Sequence, residues 1–246
     1  MNEDLVKMLK SLRWRWLLDN WDECLNVARK QRVSHARLLN DVVAEEYKIK
    51  TENARNYRLK RARIPETLVI ETYPFQDQPE LDKKKIFSIY DAFDYMTKNR
   101  NIIWVGPTGV GKSGLATSFL IQAINRGYTG RYILFHDLVD ELFASGADHS
   151  EDKVIKRYLS YDCLLIDELG YVEVEPAQVG LFFTLLQKRH RKKSTLITSN
   201  LGFSDWRSFL KNDHLTAALI DRLTEDSYLI NMKKCKSIRP KLCEDL

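Results

Sequence analysis

The chain has 246 residues, of which 44% are hydrophobic and 30% are charged, a balance typical of a folded globular protein. No apolar run approaches the roughly 20 residues that a membrane-spanning helix needs, and residues 1–4 do not begin the basic-then-apolar pattern of a secretory signal. The four cysteines form no CxxC pair, so they predict neither a zinc site nor a disulfide framework. We therefore expect a cytoplasmic protein that has no membrane partner.

Positive charge is concentrated near the N-terminus. The net charge of the whole chain is +5; residues 1–65 hold 15 Lys/Arg and 9 Asp/Glu, which is +6, and leave −1 for the remainder. A basic part joined to a nearly neutral body indicates an anionic partner, of which nucleic acid is the first candidate. The alternative is a helix surface whose charge only keeps it solvated.

Residues 1–64 contain neither proline nor glycine, and their apolar residues recur at the three- and four-residue spacing of helices. Ser34 stands where it would cap the second helical stretch. We therefore predict a small, basic, all-α domain over residues 1–64. Three prolines then break the pattern within a short distance, which predicts a linker over residues 65–85.

From residue 86 onward, short apolar strands alternate with helical stretches such as 113–126 and 176–190, in which Pro176 suits a first helical position. Apolar strands connected by helices predict a parallel sheet with helices on both faces. Residues 86–246 are therefore expected to form an α/β domain with a five-stranded sheet. Its strands are predicted at 101–105, 131–135, 162–166, 194–198 and 228–232.

A glycine-rich loop follows the first predicted strand and fits the pattern G-x-x-x-x-G-K-[ST] at every defined position. Glycines let the backbone wrap closely around phosphates, and the N–H groups of the loop and of the following helix point at that charge. Lys112 would reach the β- and γ-phosphates of ATP, and the Ser113 hydroxyl would bind Mg²⁺. The predicted nucleotide-binding residues are Gly106, Pro107, Thr108, Gly109, Val110, Gly111, Lys112, Ser113 and Gly114.

The predicted strand 162–166 is followed by two acids, Asp167 and Glu168. A buried apolar strand has no packing reason to end in paired carboxylates, although such a pair can also form a turn. Next to a phosphate loop, the pattern predicts that Asp167 holds Mg²⁺ and that Glu168 orients and deprotonates the attacking water. Asn200 follows the strand at 194–198 and would hydrogen-bond this water or the γ-phosphate; its alternative role is in a turn. Together these residues predict an ATPase.

The phosphate loop, the Asp-Glu strand and the strand with a polar end follow one another in the order found in AAA+ ATPases, a class of P-loop NTPases. Several segments narrow the resemblance to the IstB-like transposition helper ATPases, which are relatives of the DnaC-type helicase loaders. The resemblance covers residues 35–232 and implies the AAA+ fold for the α/β domain. The segments that carry it are ENARNYRLKRARIP at 52–65, DELGY at 167–171, STLITSNL at 194–201, FSDW at 203–206 and LIDRL at 219–223.

This resemblance implies a protein that accompanies a transposase, binds duplex target DNA when loaded with ATP, and assembles into multi-subunit arrays. It also implies that Arg222 reaches into the ATP site of the neighbouring subunit and stabilises charge on the γ-phosphate, so that hydrolysis requires assembly. From the residues alone, Arg222 would be a surface or salt-bridge residue. Two other functions stay open: a DnaC-type helicase loader, and an ATP-gated scaffold with negligible turnover.

Five basic residues lie within nine positions without an acid among them, and on a helix they would cover a broad face. Such a face suits neutralisation of backbone phosphates with little base readout; the alternative is the basic end of a solvated helix. Because the resembling family has a basic helix end here, we predict that the segment binds DNA. For a second basic cluster, at 188–193, the helix-end interpretation is favoured. The predicted DNA-binding residues are Arg55, Arg58, Lys60, Arg61 and Arg63.

Overall fold

A computed structural model describes residues 1–147, 150–171, 174 and 176–239 of the chain. The chain divides into two compact units, Met1–Tyr57 and Arg58–Leu246. Among the described residues, no helix is both long enough and apolar enough to cross a membrane.

The smaller unit is built from four helices, and the last of them continues beyond its boundary. Asn2 caps the first helix by accepting a hydrogen bond from the backbone N–H of Leu5 (2.8 Å). Ser34 caps the fourth in the same way through the N–H of Arg37 (3.3 Å), as predicted. The helical character predicted for residues 1–64 is therefore confirmed. The helices are α1 Glu3–Ser11, α2 Arg15–Asp19, α3 Trp21–Gln31 and α4 His35–Ala62.

The larger unit contains a five-stranded sheet in which all paired strands are parallel. Its order, β2-β3-β4-β1-β5, places the first strand between the fourth and the fifth, so that Ile102 lies opposite both Leu196 and Tyr228. The predicted parallel sheet is confirmed, and each strand overlaps its predicted range. The strands are β1 Ile102–Val105, β2 Gly130–Leu134, β3 Cys163–Leu169, β4 Ser194–Ser199 and β5 Tyr228–Asn231.

Both faces of this sheet are covered, because successive residues of its strands point to opposite sides. In β1, Ile102 and Trp104 join one core cluster together with Phe119, whereas Ile103 and Val105 join the other. This double burial explains why β1 is apolar throughout. The helix predicted at 176–190 begins at its proline, as expected. The helices are α5 Lys83–Ala92, α6 Asp94–Thr97, α7 Lys112–Asn125, α8 Phe135–Ala147, α9 Glu151–Ser160, α10 Pro176–Arg189, α11 Phe203–Leu210 and α12 Asp213–Thr224, with 3₁₀ turns at Ile70–Thr72 and Phe75–Asp77.

The segment predicted to be a linker, residues 65–85, is packed into the larger unit. Ile70 and Phe75 are buried in one of its core clusters. The side chain of Gln78 hydrogen-bonds both the carbonyl and the N–H of Lys236, at 2.6 and 2.9 Å. The prolines therefore lie at turns of an ordered segment. The segment is ordered because the apolar side chains between the prolines are buried in the core.

A buried arginine of α10 connects this helix with the end of α9 and with β4. Arg189 is only 1% exposed; it donates hydrogen bonds to the carbonyls of Tyr158 and Tyr161 (both 2.9 Å) and of Ser194 (2.6 Å), and to the Thr195 hydroxyl (3.1 Å). Burial lowers the pKa of its guanidinium to about 10. Since four acceptors depend on this one side chain, its role is structural.

We expect Arg189→Met to lower the free energy of unfolding by about 3 kcal/mol, because it leaves four acceptors without their donor. Urea denaturation followed by circular dichroism measures this loss. The matched control is Lys188→Met at the exposed neighbouring position, which should change the free energy by less than about 0.5 kcal/mol. Equal stabilities of the two variants would contradict the structural role.

Candidate nucleotide-binding and catalytic site

The phosphate loop connects the end of β1 to the start of α7, at the carboxyl edge of the sheet. Gly109 and Gly111 both have a φ of 85°, a left-handed conformation that side chains disfavour. A Cβ atom on Gly109 would lie 2.6 Å from the Ser237 hydroxyl oxygen, and one on Gly111 would lie 2.6 Å from the Tyr73 ring. Glycine is therefore required at both positions, by conformation and by space.

Lys112 is the first residue of α7 and directs its ammonium back to the loop. Its Nζ donates hydrogen bonds to the carbonyls of Gly106 and Pro107, both at 2.8 Å. Burial lowers the pKa of this amine, while the carboxylates of Asp167 and Glu168 act in the opposite direction. The loop lysine and the two acids therefore share one small space, which is the electrostatic setting that a polyphosphate with a divalent cation needs.

The carboxylate of Asp167 is buried and accepts hydrogen bonds from three hydroxyl groups. Ser113 donates to its Oδ1 at 2.9 Å and Tyr132 to its Oδ2 at 2.8 Å, and Thr198 also donates to Oδ1. The predicted pair of Ser113 and Asp167 thus lies together. A hydroxyl and a carboxylate next to a phosphate loop fit Mg²⁺, which prefers oxygen ligands. In the described part of the chain, no cluster of three or more His, Cys, Asp or Glu residues could hold a metal ion.

Glu168 lies at an irregularity in the sheet. The pairing of β3 with β4 shifts between Ile166 and Leu169, and Glu168 has a left-handed φ of 62°, a conformation that costs a non-glycine residue free energy. Its N–H donates to the Thr198 hydroxyl at 3.0 Å. The shift interrupts the strand pattern at this residue, and Glu168 lines the cavity beside the phosphate loop.

Asn200 lies directly after β4, and its Oδ1 is buried without a hydrogen-bond partner among the described residues. The preceding residue fixes the strand end: the Ser199 hydroxyl donates to the carbonyl of Leu169 (2.8 Å) and lies 3.0 Å from that of Leu201. A Cβ atom on Gly170, whose φ is 105°, would lie 2.7 Å from Asn200 Oδ1. The amide is therefore held close to the turn that follows Glu168.

A cavity of about 300 Å³ adjoins the phosphate loop. One wall comes from residues 66–74, the segment expected to be a linker. There Leu68 lies so close that a Cβ atom on Gly114 would be 2.5 Å from its Cδ1, and the Tyr73 hydroxyl donates to the Val110 carbonyl at 2.7 Å. The predicted residues that line the cavity are Gly109, Gly111, Lys112, Ser113, Gly114 and Glu168.

The other wall comes from residues after β5. The N–H of Ile238 donates to the Gly109 carbonyl at 2.9 Å, and Arg239 lines the cavity. Tyr171 also lines the cavity, and its hydroxyl is 2.9 Å from that of Thr108. Sequence reasoning assigned no role to residues 66–74, Tyr171, Ile238 and Arg239, nor to Tyr132 and Thr198, whose hydroxyls donate to Asp167. No motif spacing marks them, because they converge only through the strand order.

The structure does not bring Arg222 to the phosphate loop of its own chain. Its Nη1 donates to the Ala218 carbonyl at 3.1 Å, and its guanidinium lies 5.1 Å from the centre of the Phe183 ring. Arg222 lies in a small hollow with Asn101 and Thr195, at the amino ends of β1 and β4. Within the described residues, the cavity beside the loop is lined without it.

Four of the five predicted DNA-binding residues lie on the last turns of α4. The exception is Arg63, which follows the helix with a left-handed φ of 54°. Arg58 is half-buried, and the other four side chains are exposed. The second basic cluster differs, because much of its charge is used inside the fold: one arginine is buried, His190 and Arg191 contact Glu225, and Lys193 contacts Asp162.

Comparison with known proteins gives the family. The model of the IstB-like ATP binding protein family matches residues 7–243. The chain belongs to this family. Relatives within insertion sequences include the protein named as the ATP-binding protein of IS5376 from Geobacillus stearothermophilus, which is 27% identical over 233 residues, 95% of this chain and 92% of the relative. The counterpart of IS21 from Pseudomonas aeruginosa is 27% identical over 94% of this chain and 86% of its own.

Solved structures with a similar fold include the DnaC helicase loader, with a TM-score of 0.52 and 24% identity over 61% of this chain and 87% of that one. AMPPCP-bound DnaA from Aquifex aeolicus has a TM-score of 0.57 and 17% identity over 72% of this chain and 53% of that one. These neighbours confirm the AAA+ P-loop fold. The family match also corrects the extent of the resemblance, which reaches beyond residues 35–232 at both ends.

Two glycines with left-handed φ allow a matched test of the cavity. We expect Gly109→Ala to weaken ATP binding at least about tenfold, because strain of about 1–2 kcal/mol is joined by a clash in the cavity wall. Gly127→Ala carries a similar strain at a φ of 97°, but its Cβ meets no atom within 4 Å, so ATP affinity should be unchanged. Titration with a fluorescent ATP analogue measures both; equal affinities would show that this loop does not bind nucleotide.

Proposed function

We propose that this protein is an ATP-dependent, DNA-binding transposition helper that assembles on duplex target DNA, hydrolyses ATP and directs a partner transposase to the insertion site. The observation that carries the proposal is that Lys112, Ser113 and Glu168 line one cavity, where Ser113 also donates a hydrogen bond to Asp167. The insertion-sequence origin of the relatives supports the transposition context. The fold similarity to DnaC extends to architecture alone and does not favour helicase loading.

In the proposed reaction, the loop N–H groups and Lys112 bind the β- and γ-phosphates of ATP. Bound Mg²⁺ would supply charge neutralisation at these phosphates, held by Ser113 and Asp167. Glu168 orients the attacking water and accepts its proton. Asn200, which follows β4, hydrogen-bonds this water or the γ-phosphate. Direct attack of water at the γ-phosphate then yields ADP and phosphate.

The positions of two arginines suggest different roles in this reaction. Arg239 lines the cavity, and its charge helps to lower the pKa of Lys112, so we assign it to phosphate binding within the same chain. Arg222 lies at the opposite end of the strands, away from the phosphate loop of its own chain. We therefore assign Arg222 to the neighbouring site, where it stabilises charge on the transferred phosphoryl group. The functional unit is then an oligomer.

The proposed DNA surface is the basic end of α4 with residue 63, and it acts through charge. Arginines and lysines that neutralise backbone phosphates bind duplex DNA without selecting a sequence. Such a surface suits a protein that accepts many target sites. Selection by the shape or deformability of DNA would then replace base contacts. The transposase is the expected protein partner.

Mixed assemblies test the catalytic assignments together. We expect Glu168→Gln to reduce phosphate release at least about 100-fold with ATP binding retained, because the water loses its base. Arg222→Ala should reduce it by about 1000-fold, also with binding retained. An equimolar mixture of the two variants should regain activity. In it, a chain with intact Glu168 receives Arg222 from its neighbour.

Phosphate release with duplex DNA present measures all three samples, and Lys112→Ala, which should lose ATP binding, serves as the negative control. If the mixture stays as inactive as its components, Arg222 does not act between subunits. If Glu168→Gln releases phosphate at the rate of the unaltered protein, the scaffold function with negligible turnover is favoured instead.

Salt dependence tests the DNA surface. Replacing Arg58 and Arg61 by alanine should weaken duplex binding and flatten the plot of log K against log salt by up to about 1.8, since each phosphate contact contributes about 0.9. Lys188→Ala/Lys192→Ala removes the same charge from two exposed positions of the second cluster and should leave the slope unchanged. Fluorescence anisotropy with a labelled duplex gives both slopes.

The same assay separates the helper from a helicase loader. Unlabelled duplex should displace the labelled duplex more effectively than single-stranded DNA of equal length does. Stronger competition by single strands would favour the loader, because single-strand grooves rely on base stacking that a duplex cannot offer.

A further inference from the structure

A tyrosine in the turn after β3 contacts the phosphate loop. The hydroxyl of Tyr171 lies 2.9 Å from that of Thr108, which is the third residue of the loop. Tyr171 lines the same cavity as Lys112 and Glu168. The hydrogen bond between the two hydroxyls therefore joins the strand that carries Glu168 to the loop that would hold the phosphates of ATP.

The turn 168–171 is held on the side away from the loop. The Tyr171 N–H donates to the Glu168 carbonyl at 3.4 Å. Gly170 has a φ of 105°, and a Cβ atom there would lie 2.6 Å from Leu201 Cγ, just beyond the end of β4. Because this packing leaves the turn little room to move, the position of Tyr171 and the position of Glu168 depend on each other.

Two hydrogen bonds bracket Glu168 along the chain. Before it, Asp167 accepts from the Ser113 hydroxyl at 2.9 Å; after it, Tyr171 contacts Thr108. The end of β3 is thus attached to the loop at two points, and a pivot about the Asp167 contact is prevented. A general base must lie within hydrogen-bond reach of the proton that it accepts, and a misplacement of about 1 Å can cost about 100-fold in rate.

Neither side chain of the second contact belongs to the hydrophobic core. Tyr171 is 41% exposed, and Thr108 is also exposed. A hydrogen bond between two exposed hydroxyls contributes little to the free energy of folding, because water would satisfy both groups in its absence. Its place at the cavity therefore indicates a role in the site and not in the stability of the fold.

We propose that Tyr171 is a positioning residue for hydrolysis: through Thr108, its hydroxyl fixes the distance between Glu168 and the γ-phosphate. Tyr171 touches none of the reacting atoms and transfers no proton. The inference rests on the proposed function, since it assigns a role within the same reaction. It predicts a loss in the catalytic step at unchanged ATP affinity, because Lys112 and the loop N–H groups stay in place.

A double-variant cycle in the full chain, with duplex DNA present, tests the contact. Tyr171→Phe and Thr108→Val each remove one hydroxyl with little change of shape. Each should lower kcat about fivefold, which is the effect of one lost hydrogen bond. The double variant should be no slower than either single variant, because both remove the same bond. Thr108→Ser keeps the hydroxyl and should keep full activity, as should the control Tyr47→Phe, whose side chain is 71% exposed in the smaller unit.

Binding of a transition-state mimic separates this inference from the proposed ATPase activity. ADP with Mg²⁺ and aluminium fluoride should bind to Tyr171→Phe about fivefold more weakly than to the unaltered protein, whereas ADP alone should bind equally to both. Calorimetric titration measures these affinities without turnover. It therefore decides the role of Tyr171 even if the unaltered protein releases no phosphate, which is the result that would contradict the proposed function.

Three results would overturn the positioning role. The first is a Tyr171→Phe protein whose ATP affinity changes while kcat does not, because the contact would then only shape the empty loop. The second is a double variant whose loss is the product of the two single losses, since the hydroxyls would then act separately. The third is equal binding of the transition-state mimic to Tyr171→Phe and to the unaltered protein.

Discussion

A buried carboxylate must be compensated, and the site beside the phosphate loop is organised around that requirement. Asp167 is 2% exposed, and an uncompensated charge at such a position would cost several kcal/mol. Hydroxyl groups of Ser113, Tyr132 and Thr198 provide the compensation from α7, β2 and β4. Only a strand order that places β3 between β2 and β4 brings these donors together. The fold and the site are therefore specified by the same interactions.

Much of this arrangement follows from local sequence patterns. The apolar strands, the loop ending at Ser113 and the Asp-Glu pair were all predictable, because each depends on residues close together in the chain. Tyr132 and Thr198 were not, since a hydroxyl in a strand carries no spacing signal and its target lies on a neighbouring strand. The segment 65–85 was mistaken for a linker because its prolines suggested an open chain, whereas its buried side chains form a wall of the cavity.

The proposed subunit contact through Arg222 has a geometric consequence. A contact in which Arg222 of one chain completes the ATP site of the next is head to tail, so it can continue along a row of subunits. Each subunit of such a row carries its own basic end of α4. A protein built this way offers DNA several equivalent positive surfaces.

The cavity wall formed by residues 66–74 begins only three positions after Arg63, at the basic end of α4. A few residues of main chain thus connect the proposed DNA-binding surface to the proposed nucleotide-binding cavity. If nucleotide orders this wall and the wall orients the basic end, the two binding equilibria are coupled, and coupling is reciprocal. If bound ATP raises the affinity for DNA by a given factor, bound DNA must raise the affinity for ATP by the same factor. Bound target DNA would then slow the loss of ATP from the protein. Loss of the γ-phosphate would weaken the binding of both nucleotide and DNA.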